Sequence, residues 1–142
     1  MNIKGKFIPH LLTLALLFPV NGWVSSKFGE RLDPFTGKKV AHLGVDISTK
    51  YATGVNSMGK GNVLFAGKKS GYGNLVIISE TAMLQRYYAH LGRIFVKKNE
   101  QVINGQLIGW MGMTGKSTGP HIHYEVRIAG KPVDPIKYTN LH

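Results

Sequence analysis

The sequence predicts an all-β fold, an antiparallel β-sandwich, on three observations. Eighteen glycines and six prolines in 142 residues are too many for a helix bundle; they suit short strands joined by tight turns. Apolar and polar residues alternate with period two through most of the chain. The stretches between these runs are rich in Gly, Lys, Ser and Asn, the composition of turns. The length supports one domain with a real core. A hydrophobic share of 43% with a mean hydropathy of −0.06 suits a soluble globular body.

The chain begins "MNIKGKFIPHLLTLALLFPVNGW", with Lys4 and Lys6 ahead of an apolar run from Phe7 to Val20. The run is too short for an ordinary transmembrane helix and has the basic and apolar regions of a secretory signal. Val20-Asn21-Gly22 offers a cleavage site. Residues 1–20 are therefore expected to be a helical leader that is exported or anchored, and residues 21–142 the folded domain. The alternative is an apolar segment that packs on that domain.

Beyond the leader, "VLFAG" (63–67), "NLVIIS" (74–79), "RYYAHL" (86–91), "QLIGWMG" (106–112) and "HIHYEVRI" (121–128) read as strands. "KKSGYG", "KKNEQVING" and "MTGKSTGP" read as the turns between them. There is no cysteine, which excludes disulfides, thiolate metal sites and thiol nucleophiles. The net charge of +11 favours polyanions: nucleic acid, anionic membranes or acidic wall polymers.

Two short stretches carry chemistry. Read as one strand, "HLGVDI" (42–47) puts His42, Gly44 and Asp46 on one face and Leu43, Val45 and Ile47 on the core face. Gly44 would then leave room for an ion. In "HIHYEVRI", His121, His123, Glu125 and Arg127 share one face, and Ile122, Tyr124, Val126 and Ile128 the other. The two imidazoles stand about 7 Å apart at strand spacing. His42, Asp46 and one of His121 or His123 make two nitrogens and one oxygen without sulfur, the donor set of a catalytic zinc with an open position. His90 falls by alternation on a face with Arg86 and Tyr88, and His10 and His142 lie in the leader and at the last residue.

These residues carry a resemblance. "VSSKFGERLDPFTGKKVAHLGVDI", "GNVLFAGKKSGYGNLVII", "YYAHL", "QVINGQLIGWMGMTGKSTGPHIHYEV" and "GKPVDPIKY" resemble, in the same order, the lysostaphin-type (LytM-like) zinc metallopeptidases that cut peptidoglycan. The resemblance implies an antiparallel barrel-sandwich hybrid holding one zinc per chain. It implies His42, Asp46 and His123 as ligands, and His90 and His121 as catalytic histidines. It makes Tyr72, Asn74 and Ser117, in the glycine-rich loops, candidates for substrate contact. It places the protein in the cell envelope, periplasmic or secreted, as a monomer acting on peptidoglycan and drawn to anionic envelope polymers.

The stretch after Asp46 departs from the family: Lys50, Gly54 and Asn56 replace proline, proline and an apolar residue, which makes the strand more polar. Asn99 replaces a glycine in a left-handed turn that asparagine tolerates. "TGKST" (114–118) imitates a phosphate loop, but a strand follows it rather than a helix, so nucleotide binding is rejected. Nucleic acid is rejected as a partner because no recognition motif accompanies the charge. A non-catalytic relative that binds the wall or an amidase is the competing reading; the presence of all five histidine and aspartate positions favours the enzyme.

Overall fold

The computed structural model describes residues 18–50, 52–112 and 120–138, and among these nearly all regular structure is strand, every pairing antiparallel. The strands are β1 (Trp23–Ser26), β2 (Gly29–Leu32), β3 (Lys39–His42), β4 (Val45–Ser48), β5 (Gly54–Asn56) and β6 (Gly61–Lys69). They continue with β7 (Gly73–Ser79), β8 (Leu84–Ile94), β9 (Gln101–Val102), β10 (Leu107–Met111), β11 (His121–Ile128) and β12 (Lys131–Val133), and a short 3-10 turn follows at Pro135–Tyr138. The main sheet runs β1-β4-β11-β8-β7-β6-β9, with β12 beside β11; β2 and β3 form a separate hairpin.

The long strand β8 makes a sandwich of what would otherwise be one flat sheet. Its first part, Leu84–Ala89, pairs with β11. Its last part, Leu91–Ile94, pairs with β10, which carries β5 on its other edge. The chain thereby passes from one layer to the other, and the core fills the space between. Val45, Ile47, Ile122, Tyr124 and Val126 from β4 and β11 meet Val55, Ile108 and Met111 from β5 and β10 in one cluster. Ile47, Ile108 and Ile122 have no exposed surface, and burial of each such side chain stabilises the fold by about 1.5–3 kcal/mol.

Phe18 and Val20 belong to this core, and the Pro19 carbonyl accepts a hydrogen bond from Asn56 N at 2.8 Å. The tail of the apolar N-terminal run is thus part of the folded body, while residues 1–17 lie outside the described residues. Arg86 is a charged group buried among the apolar side chains. Arg86 donates from Nη1 to Tyr124 Oη at 2.8 Å and from Nη2 to Glu80 Oε1 at 3.0 Å, so its charge is paired. Tyr88 accepts a hydrogen bond from Met58 N at 2.9 Å.

"HLGVDI" is not one strand. β3 ends at His42, Leu43 is 39% exposed rather than in the core, and β4 begins at Val45. The break follows from packing. Gly44 lies so close to β11 that a Cβ there would overlap the Tyr124 carbonyl oxygen and crowd Glu125 Cγ. The missing side chain makes room for the backbone of β11, not for an ion.

Gly44→Ala is therefore expected to destabilise the protein by about 1–3 kcal/mol, since backbone rather than a flexible side chain must yield. Gly67→Ala, whose Cβ would meet only Phe65 at ordinary distance, is expected to be near neutral. Denaturant unfolding of the two variants checks this.

Candidate active site

Asp46 and His123 face each other directly across the β4–β11 ladder, so their side chains emerge on the same face. His123 Nδ1 lies 2.9 Å from Asp46 Oδ1. His42, at the end of the hairpin, brings Nε2 to 3.2 Å from the same oxygen. The outer nitrogen of each ring is held as well. His42 Nδ1 donates to the Lys27 carbonyl at 2.7 Å, and His123 Nε2 donates to Glu125 Oε2 at 2.9 Å. Such outer partners fix the tautomer that leaves the inner nitrogen free to ligate.

One atom from each of His42, Asp46 and His123 lies within 4.8 Å of the other two. Two imidazole nitrogens and a carboxylate oxygen, with the rings oriented from behind, fit zinc with a coordination position to spare. The electrostatics agree with that fit. Burial disfavours a charged His123, yet hydrogen bonds to Asp46 and Glu125 overcome it and push its pKa up to about 9. Burial likewise opposes ionised Asp46 and Glu125, but His123 holds both carboxyls below their ordinary values, helped by His42 at Asp46 and by Arg127 at Glu125. The carboxylates thus draw positive charge to this point.

Glu125 is fully buried, and Arg127 secures it, donating from Nε to Glu125 Oε1 at 2.9 Å and from Nη2 to Tyr72 Oη at 2.9 Å. The guanidinium carbon sits 4.4 Å from the centroid of the Tyr87 ring. The sequence alone assigns Glu125 and Arg127 no role, although it shows their alternation with His121 and His123.

His90 occupies a position that alternation does not predict. Arg86 and Tyr88 are buried on the core side, whereas His90 turns to the cleft that His42, Asp46 and His123 line. The cause is a bulge: Asn74 pairs with Leu91 but Val76 pairs with Tyr88, so one extra residue stands on β8. His90 takes up that residue with φ of 61°, in the left-handed region that histidine enters more readily than most side chains. Its backbone is clamped on both sides. His90 N donates to the Tyr72 carbonyl at 2.9 Å, and the His90 carbonyl accepts from Gly112 N at 3.0 Å. The bulge lies where β8 leaves β11 for β10.

His121 opens β11, and its ring centroid is 6.3 Å from that of His90, which is 6.1 Å from that of His123. A cleft of about 380 Å³ is lined by His42, Asp46, His90, His121 and His123, with Arg31, Tyr72 and Glu125 at its sides. Burial and the neighbouring His123 and His121 lower the His90 pKa, which favours a neutral ring. Tyr72 lines the cleft with its ring 6.2 Å from His123. Asn74 instead spends its amide on the Leu91 carbonyl at 2.9 Å, supporting the bulge from behind. Ser117 lies outside the described residues.

The cleft thus brings together, on an antiparallel sandwich, a His-Asp-His trio with metal-ligating geometry and two further histidines. Residues 40–135 match the model of Peptidase family M23, and the chain belongs to that family. It is 42% identical over 113 residues to the DD-carboxypeptidase/endopeptidase Mpg of Neisseria meningitidis; the match takes in 80% of this chain and 26% of that protein. The chain thus spans about a quarter of the length of that relative. Its fold is similar to that of a zinc-containing peptidase from Vibrio cholerae, with TM-score 0.76 and 37% identity over 84% of this chain and 38% of the other. It is also similar to the catalytic domain of lysostaphin from Staphylococcus simulans, with TM-score 0.73 and 29% identity over 84% of this chain and 92% of that domain.

Metal analysis is expected to find one zinc per chain in the wild type and none in His42→Ala, Asp46→Ala or His123→Ala. Glu125→Gln, which weakens the hold on His123 without removing a ligand, is expected to lower zinc affinity roughly 10- to 100-fold in a chelator competition.

Proposed function

We propose that the chain is a zinc-dependent endopeptidase that hydrolyses peptide cross-links or stems of bacterial peptidoglycan. The observation that carries this is the convergence of five residues from four strands on one cleft: His42, Asp46 and His123 as metal ligands, with His90 and His121 beside them. Zinc held there would polarise the scissile carbonyl and acidify the attacking water. His90, favoured as a neutral ring, accepts the proton of that water. His121 stands across the cleft to protonate the departing amine. Tyr72 provides a wall against which the peptide lies.

All of these side chains come from one chain, which supports action as a monomer. The substrate places the protein in the cell envelope, periplasmic or secreted. A wall-binding regulator without catalysis would have no use for His90 held at a strained backbone position beside an intact metal trio. Digestion of purified sacculi, with the released fragments identified by mass, tests the reading; intact sacculi after incubation with the zinc-loaded protein would overturn it.

His90→Ala and His121→Ala are each expected to keep zinc and to lose roughly 10²- to 10⁴-fold in turnover of sacculi. Near wild-type hydrolysis in either variant would remove that residue from the mechanism.

The charge of +11 is expected to act separately from the cleft by drawing the protein to anionic envelope polymers. Such attraction reaches about 8 Å at physiological salt and about 3 Å at 1 M. Sedimentation with sacculi is expected to weaken steeply as salt rises, in the wild type and in His121→Ala alike.

A further inference from the structure

Arg31 is the one Lys or Arg among the described residues that line the cleft. It stands on β2, pairs with Val40 on β3, and projects from the hairpin toward the ligand Asp46. Nη1 makes its contacts to the protein: a hydrogen bond to Ser26 Oγ and an ion pair with Asp46 Oδ2 at 3.6 Å. Asp46 Oδ1, by contrast, faces the two ligand histidines. Among the described residues, Nε and Nη2 of Arg31 have no hydrogen-bond acceptor, and the side chain is 42% exposed. The other nearby guanidinium, Arg127, is committed to Glu125, Tyr72 and the Tyr87 ring.

A guanidinium presents its donors as a planar fork, and a carboxylate is the group that fills such a fork with two parallel bonds. Arg31 lines the cleft beside Asp46, and its donors other than Nη1 are left for a ligand there. We propose that Arg31 forms a carboxylate-binding subsite that reads the substrate beside the scissile bond. This rests on the hydrolase reading given above and names its substrate more closely. In an ordinary α-peptide bond, the residue on the carbonyl side gives up its own α-carboxyl to the bond that is cut. A free α-carboxylate adjoining that bond therefore belongs to the residue that leaves with the amine. Arg31 accordingly selects peptides whose departing residue bears a free carboxylate over peptides in which that carboxyl is amide-linked.

The test compares N-acetyl-L-lysyl-D-alanyl-D-alanine with its C-terminal amide, using the zinc-loaded full chain. The free acid is expected to be cleaved with a kcat/KM roughly 10- to 100-fold higher, the range of a charge-assisted hydrogen bond. Arg31→Gln is expected to bring that ratio near one while zinc stays at one per chain. Arg31→Lys, which keeps the charge but not the fork, is expected to recover only part of it. A wild-type ratio near one overturns the proposal. So does an equal fall on both peptides in Arg31→Gln, or loss of its zinc, because Arg31 would then serve only to orient Asp46. If the wild type cleaves neither peptide nor sacculi, the hydrolase reading fails on its own. NMR shift titration of both peptides then decides the subsite: binding that favours the acid and loses that preference in Arg31→Gln sustains it, and equal binding of acid and amide overturns it.

Discussion

The pairing of β11 between β4 and β8 is the constraint on which the site depends. Its register sets His123 opposite Asp46 on one side and opposite Ala89 on the other. The first pairing brings a nitrogen and an oxygen donor together without any loop to position them. The second places the bulge that carries His90 one residue beyond. A slip of β11 by one residue in this register would turn His123 into the core and the core residues Ile122 and Tyr124 into the cleft. The burial of Ile47, Ile122, Tyr124 and Val126 therefore holds the candidate metal site in place as well as stabilising the fold.

The site is built in layers around that register. Asp46 Oδ1 gathers two imidazoles; Lys27 and Glu125 hold the far sides of those rings; Arg127 holds Glu125 and reaches on to Tyr72 and Tyr87. A fully buried carboxylate such as Glu125 is costly to leave unpaired, and here it is satisfied from both sides. Tyr72 and His123 are thereby linked through one hydrogen-bonded chain, so the cleft wall and the His-Asp-His trio share a support. On the opposite side, the β2–β3 hairpin supplies His42 and Arg31 from outside the main sheet.

His90 carries backbone strain at the cleft. A residue with φ of 61° is disfavoured for most side chains, and it persists because two backbone hydrogen bonds and the Asn74 amide fix the strand around it. The same bulge lets β8 serve both layers of the sandwich. One irregularity thus both joins the two layers and turns His90 into the cleft.

Period-two alternation, with the glycine and proline content and the turn-rich intervals, was enough to show the all-β class; alternation showed the strand His121–Ile128 with its two faces and the burial of Val45 and Ile47. The faces and the burial depend only on the fixed alternation of side chains along a strand, which is a local property. The donor set of His42, Asp46 and a histidine of the His-x-His pair was legible for the same reason. Alternation misplaced His90, because a bulge changes the count by one and nothing in "YYAHLG" marks it. It joined His42 to Asp46 in one strand, because the close approach of β11 at Gly44 is a contact between distant segments. It gave no sign of Arg31, which reaches the cleft from a separate hairpin, or of what Glu125 holds. Local periodicity determined which residues share a face; only the tertiary packing decided which faces meet, because register, bulges and close backbone approach are properties of pairs of strands and not of any one of them.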